Sequence, residues 1–315
     1  MADTWQTILD QQSTLPINTN LAATSCFMPL PQYGVLQIEG ADAHDFLQNL
    51  LTNDVSALAI NQSQLSGFCN AKGRLFSLFL LIRHQEHYQI FLPENMCAIL
   101  QQRLSMYILR SKVVITNVTD KIVCLGLKQA EEGLITENTN KNSPVLIQYL
   151  NTTQQFLYLC PQQQAAEICQ NLLKQQWQLT SEKWWDLLDI NVGIPLVLPE
   201  SKEKFTPQQL NLDLINGVSF SKGCYPGQEI VARLHYLGTP SRRMFQATAE
   251  SDTLPSPGET ITDKEGKVIG HVVRSEYDKK STIKLLLSLK LSEAHQNALI
   301  NNTVIVSDIV ALAND

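Results

Sequence analysis

In the first two-thirds of this chain a strand–strand–helix order occurs twice, and beyond Arg243 short strands take over. That change of character limits the fold more than any other feature. Runs at Ser66–Cys69, Leu75–Ile82 and Tyr88–Leu92 read as an antiparallel meander, after which Pro93-Glu94 opens a helix to about Tyr107. Its apolar positions Met96, Ile99, Leu100, Leu104 and Tyr107 recur at helical spacing. Ahead of the meander, Val35–Glu39 reads as a strand and Asp42–Leu51 as a helix with Asp42 as its N-cap. Val113–Val118 and Ile122–Leu125 return to strand, and Glu131–Ser143 is a polar surface loop. Val145–Tyr149, Phe156–Leu159 and the helical pattern Ala165–Trp177 then repeat the earlier order without obvious residue identity. Ser181 caps a further helix through Trp184, Trp185, Leu187, Leu188 and Ile190, ending at Gly193. This order predicts an α+β class with two similar lobes.

Met244–Ala249, Glu259–Thr262, Lys267–Ser275, Thr282–Lys290 and Val304–Leu312 predict five short strands, joined by one helix at Glu293–Ile300. They make a small barrel or sandwich. The boundary falls at Gly238–Arg243 and divides the chain into 1–240 and 241–315. With 44% hydrophobic and 17% charged residues, such a length can bury two or three cores. The net charge of −6 argues against holding nucleic acid by bulk electrostatics. Cys26, Cys69, Cys97, Cys124, Cys160, Cys169 and Cys224 show neither C-x-x-C nor Cys/His zinc spacing, so no metal site is expected. Met1–Thr14 has no signal-peptide pattern and no apolar run is long enough to span a bilayer. A soluble, reducing, cytoplasmic setting without membrane contact is the expectation.

The densest chemistry lies in Lys222-Gly223-Cys224-Tyr225-Pro226-Gly227-Gln228-Glu229. Val218 and Phe220 alternate as a short strand would and Gln228–Leu234 starts a helix, which places Cys224 in the turn between them. Gly223 and Gly227 allow unusual backbone angles and close approach of a partner, and Pro226 fixes the turn. The helix dipole and Lys222 favour a thiolate, whereas Glu229 opposes it or serves the helix's first turn. The alternative for Cys224 is a small apolar residue packed in a tight turn. Between Lys222 and Arg243 the cations Lys222, Arg233, Arg242 and Arg243 face one acid, Glu229. That excess suits an anionic ligand, a polycarboxylate tail or a phosphate, and equally a solvated surface.

The octapeptide, continued through Ile230-Val231-Ala232-Arg233, closely resembles the signature of the YgfZ family. Tyr33 through Gly40, Cys69-Asn70-Ala71-Lys72-Gly73-Arg74, Trp185 through Gly193-Ile194-Pro195, and Pro207 before Gly217 and Phe220 agree in order, so the resemblance spans residues 25–245. It implies the fold of the glycine-cleavage T-protein, an aminomethyltransferase: two α+β lobes enclosing a folate, with a terminal β-barrel. It also implies a folate-binding protein that supports iron–sulfur enzymes and tRNA modification. The family's pterin site would then involve Tyr33 and Trp185, beside Trp184, with Arg233 among the cofactor-binding residues, since a pterin stacks on aromatic faces. Core packing is the alternative for Trp184 and Trp185. Adjacent helical residues point about 100° apart, so one of the two would face the ligand.

The chain departs from the aminomethyltransferases at Leu75-Phe76-Ser77-Leu78, where the resemblance would place a folate-contacting aspartate pair. Without carboxylates there, glycine-cleavage activity is not expected. The reading is a cytoplasmic accessory protein that binds tetrahydrofolate or a one-carbon derivative. It would help assemble or repair iron–sulfur clusters through Cys224 and Lys222, including those of enzymes that methylthiolate tRNA. Its partners would be iron–sulfur enzymes and assembly proteins, with tRNA reached indirectly. The alternative is a folate-dependent one-carbon transferase with an unknown acceptor.

Overall fold

The computed structural model describes residues 5–15, 24–131, 145–150, 154–294 and 298–312. Two compact units result. The first draws on Met1–Phe46, Ser56–Gln64 and Phe79–Trp185, the second on Leu47–Val55, Leu65–Leu78 and Asp186–Asp315.

Helix α1 (Trp5–Ser13) and strands β1 (Cys26–Pro29) and β2 (Tyr33–Glu39) open the chain, followed by α2 (Ala43–Gln48). The meander is β3 (Ser63–Cys69), β4 (Leu75–Arg83) and β5 (His87–Pro93), leading into α3 (Glu94–Ile108). Strands β6 (Val114–Asn117), β7 (Ile122–Lys128), β8 (Val145–Gln148) and β9 (Gln155–Pro161) precede α4 (Gln162–Lys174), β10 (Gln178–Leu179) and α5 (Glu182–Asn191). One sheet has the order β3-β4-β5-β2-β6, the other β10-β1-β7-β9-β8. The predicted repeat is present, and it carries a residue signature. Both β5 and β9 end in a proline that serves as helix N-cap, Pro93 at φ −53° and ψ 135° and Pro161 at φ −56° and ψ 136°. A proline there loses no helix hydrogen bond and starts the turn at a suitable φ. In the first unit Ala165 and Cys169, one turn apart on α4, pack into a core with Phe27, Leu125, Phe156 and Cys160.

Helix α6 (Gln228–Tyr236) precedes a closed barrel, β11-β14-β13-β12-β15-β16. Its strands are β11 (Arg242–Glu250), β12 (Thr260–Thr262), β13 (Val268–Tyr277), β14 (Thr282–Lys290), β15 (Leu299–Ile300) and β16 (Val304–Ala311). Alternate residues Ile283, Leu285, Leu287 and Leu289 fill its interior with Val272 and Ile261. Among the described residues no helix is long and apolar enough to cross a membrane.

Several expectations need correction. The helix expected at Glu293–Ile300 is not found at either described end of that span: Leu291–Glu293 is a 3-10 turn and Leu299–Ile300 is β15, whose pairing with β12 and β16 closes the barrel, while residues 295–297 lie outside the described residues. The segment Val218–Phe220 forms no strand. Asp42 directly precedes α2, as expected of its N-cap position, and its carboxylate accepts the Lys112 amide at 2.7 Å, tying the approach of β6 to the start of α2. Trp177 lies beyond α4, its amide closing the turn onto Leu172 O at 3.0 Å. Helix α1 and strand β1 had no strong sequence signal, and most of the Glu131–Ser143 loop lies outside the described residues.

Helix α5 is anchored in the second unit by a buried ion cluster. Arg274 on β13 donates to Asp189 at 2.8 Å and also to Asp186, and it reaches Ile194 O at 3.3 Å. Asp189 is fully buried. Arg274→Ala should destabilise the chain by about 3–5 kcal/mol, because it strands a buried carboxylate. Denaturant unfolding checks this, and a loss below about 1 kcal/mol would show that water reaches Asp189.

Candidate functional site

Residues 221–227 form no regular element, and side chains hold them in place. The Lys222 ammonium donates to Gln48 O and Leu51 O, each at 2.6 Å, and to Asn53 O at 2.9 Å. Gln48 is the last residue of α2, so Lys222 satisfies carbonyls that a helix C-terminus leaves without intrahelical partners, and its charge suits the negative end of the dipole. Burial pushes its pKa down to about 8, with Asp54 opposing. The three carbonyl contacts favour the charged form, and at neutral pH the ammonium persists. Its ring neighbour is Tyr225, 5.5 Å to the centroid.

The turn ahead of α6 is closed twice. The Tyr225 amide donates to the Gln228 side chain at 3.2 Å, and the Gln228 amide donates to Tyr225 O at 3.2 Å. Tyr225 is buried, and burial, followed by the neighbouring Cys69, raises its phenol pKa. Gly227 sits at φ +80° as the N-cap of α6, where a Cβ would lie 2.3 Å from Asn70 O and 2.6 Å from Gly73 N. Gly73 itself is at φ +66°, its Cα face against Ile230. The turn Asn70–Arg74 is built by the Asn70 side chain, which accepts the amides of Lys72 at 2.9 Å and Arg74 at 3.1 Å. Two motifs far apart in the chain therefore meet glycine to glycine. The sequence showed both, and only the backbone contact reveals that one supports the other.

Cys224 is exposed, whereas the other six cysteines are buried. Burial raises the thiol pKa of Cys26 and Cys97 to about 11 and of Cys69, Cys160 and Cys169 to about 12, and it raises Cys124 as well. The packed-turn alternative for Cys224 is thereby excluded. Gly223 has nothing within 4 Å of a would-be Cβ and no positive φ, so close approach is required at Gly227 and not at Gly223. Lys222 does not hold the Cys224 thiol, since its three donors go to the carbonyls of Gln48, Leu51 and Asn53. Arg243 pairs with Asp213 at 2.7 Å, which removes a second member of the predicted anion-binding group. Arg233 and Glu229 are exposed on α6.

Tyr33, Trp184 and Trp185 belong to the first unit, and all three are buried. Tyr33 stacks on Phe91, centroids 4.5 Å apart at 15°. Trp185 is 0% exposed: its six-membered ring lies on Gly126, where a Cβ would meet Cε3 at 2.4 Å, and it stands 4.7 Å from the Tyr149 ring. Lys128 lies 5.9 Å from the Trp184 ring. None of these rings presents an open face in this conformation. The Trp185 indole N–H is nevertheless buried without an acceptor among the described residues. Leu75, Phe76, Ser77 and Leu78 on β4 are all buried and place no carboxylate there. Among the described residues no three His, Cys, Asp or Glu side chains converge as metal ligands.

The GCVT N-terminal domain family matches residues 27–135. A curated relative, the tRNA-modifying protein YgfZ of Photobacterium profundum, is 30% identical over 239 residues, 74% of this chain and 72% of its own length. The tRNA-modifying protein YgfZ of Edwardsiella ictaluri is 31% identical over 246 residues, 74% of each chain. That of Yersinia enterocolitica is 27% identical over 312 residues, 95% of this chain and 92% of its own. The solved glycine cleavage system aminomethyltransferase T from Bartonella henselae superposes with a TM-score of 0.70 at 16% identity, covering 95% of this chain and 91% of that one. The predicted α+β aminomethyltransferase-like fold with a terminal barrel is therefore the observed one.

The glycine contacts give a contrast to measure. Gly227→Ala should cost more than about 2 kcal/mol, from a left-handed φ and a backbone clash, whereas Gly223→Ala should stay within about 0.5 kcal/mol. Equal melting temperatures for the two variants would contradict this packing.

Proposed function

The chain belongs to the YgfZ family, and we propose that within it this protein is a folate-binding accessory factor that supports iron–sulfur enzymes, among them those that modify tRNA by methylthiolation. The observation that carries this reading is the exposure of Cys224, alone among seven thiols, on a turn that Lys222, Tyr225 and Gly227 hold from behind. A thiol so placed can meet a cluster atom or an oxidised group on another protein. A buried one cannot. The division of labour also follows: Lys222 positions the turn, and Cys224 is the reacting group.

Folate enters through the family and the aminomethyltransferase fold. When bound, it would supply a reduced pterin able to carry a one-carbon unit. The residues fit such a group through the orphaned Trp185 N–H, which suits the acceptor-rich edge of a pterin, more than through stacking, because both Trp185 and Tyr33 are already packed. Trp185→Ala would confuse the matter by emptying a core site, at about 3–5 kcal/mol. Trp185→Phe keeps a ring and deletes the N–H. It should weaken tetrahydrofolate binding by about 0.5–1.5 kcal/mol in calorimetry. Unchanged affinity would assign Trp185 to the core alone.

For Cys224, brief alkylation of the native chain near neutral pH should modify one thiol, and alkylation in denaturant all seven. Cys224→Ser should preserve melting temperature and folate affinity and fail to restore methylthiolated tRNA in cells lacking their own copy. Full restoration by that variant at normal expression would remove the cysteine from the mechanism.

A further inference from the structure

Helix α6 carries a group of rings that the Cys224 chemistry leaves unused. Phe220, just ahead of the motif, and His235, in the last turn of α6, lie face to face with centroids 3.7 Å apart and planes 10° apart. Tyr236 stands edge-on to both, at 4.8 Å and 78° from His235 and 6.1 Å and 74° from Phe220. Its hydroxyl donates to Phe220 O at 3.5 Å, which steadies the ring. The result is a flat shelf with a perpendicular wall. His235 is exposed, Tyr236 is 65% exposed and the following Leu237 83%.

An imidazole already stacked on a phenyl ring offers its outer face to a further flat ring. Small heterocycles bind in pockets that bury most of their surface, and this shelf is open, so it suits one ring of a polymer. Arg233 lies one turn before Tyr236 and Leu237 on the same helix face. Lys72 is exposed at the tip of the turn that packs on Gly227 and Ile230. Neither makes an ion pair among the described residues. Glu229, one turn before Arg233, is the acid on this face.

We propose that the Phe220–His235–Tyr236 shelf binds unpaired bases of single-stranded RNA, with a base on His235 and phosphates toward Arg233 and Lys72. The choice of RNA rests on the tRNA reading above; the shelf itself does not depend on Cys224. A direct contact of this kind needs only local charge, and the acidic balance of the whole chain does not forbid it.

Fluorescence anisotropy of the full chain with a labelled oligouridylate of about twelve nucleotides tests this. Binding should weaken with salt and should be at least about tenfold weaker for a duplex of the same length. His235→Ala should weaken it about tenfold, and His235→Phe, which restores a flat ring, should bring it back. Equal binding of single strand and duplex, no change in His235→Ala, failure of His235→Phe to restore binding, or no binding at all would each overturn the proposal. So would displacement of the RNA by tetrahydrofolate at stoichiometric concentration, which would make the shelf a pterin site. Cys224→Ser should bind RNA like the unaltered chain. Loss of cellular function in Cys224→Ser without RNA binding in any variant would sink the shelf and leave the cysteine reading standing.

Discussion

One ammonium group holds the motif in shape. Lys222 bridges 174 residues of sequence to the carbonyl of Gln48, and at the same time reaches Leu51 and Asn53. A helix C-terminus that ends against the rest of the fold must have its carbonyls satisfied, and a lysine does so with both hydrogen bonds and the correct sign of charge. Residues 221–227 have no ladder or helix of their own, so their position is set by this contact, by the Tyr225–Gln228 pair and by the approach of Gly227 to Asn70.

From that support follows the exposure of Cys224. A turn pinned on one side by a buried lysine and a buried tyrosine presents its remaining residues, Gly223 and Cys224, to solvent. The contrast with Cys69 is informative: it lies just before the supporting turn, is buried, and has a thiol pushed up to about 12. Two thiols in neighbouring motifs thus differ in availability by burial alone. The first unit shows the same economy in its aromatic residues, where Tyr33 and Trp185 pack against Phe91, Gly126 and Tyr149, and the Trp185 N–H is left without an acceptor among the described residues.

Apolar periodicity in the chain was enough to determine the α+β class, the meander, the helices that become α3 to α6 and the late run of short strands, because each rests on the 3.6-residue or two-residue period of a buried face, and it left barrel and sandwich open. It missed β15, a two-residue strand defined by its neighbours, and it read a helix there. The octapeptide marked Lys222, Cys224 and Gly227 as a group. Tertiary structure assigned their roles, because the destination of a hydrogen bond and the identity of the atom facing a missing Cβ lie far away in the chain: Lys222 goes to α2 and not to the thiol, and Gly227 needs to be glycine where Gly223 does not. The Phe220–His235 stack lies outside the reach of pattern reading for the same reason, since its rings are 15 residues apart and meet only when the turn is folded.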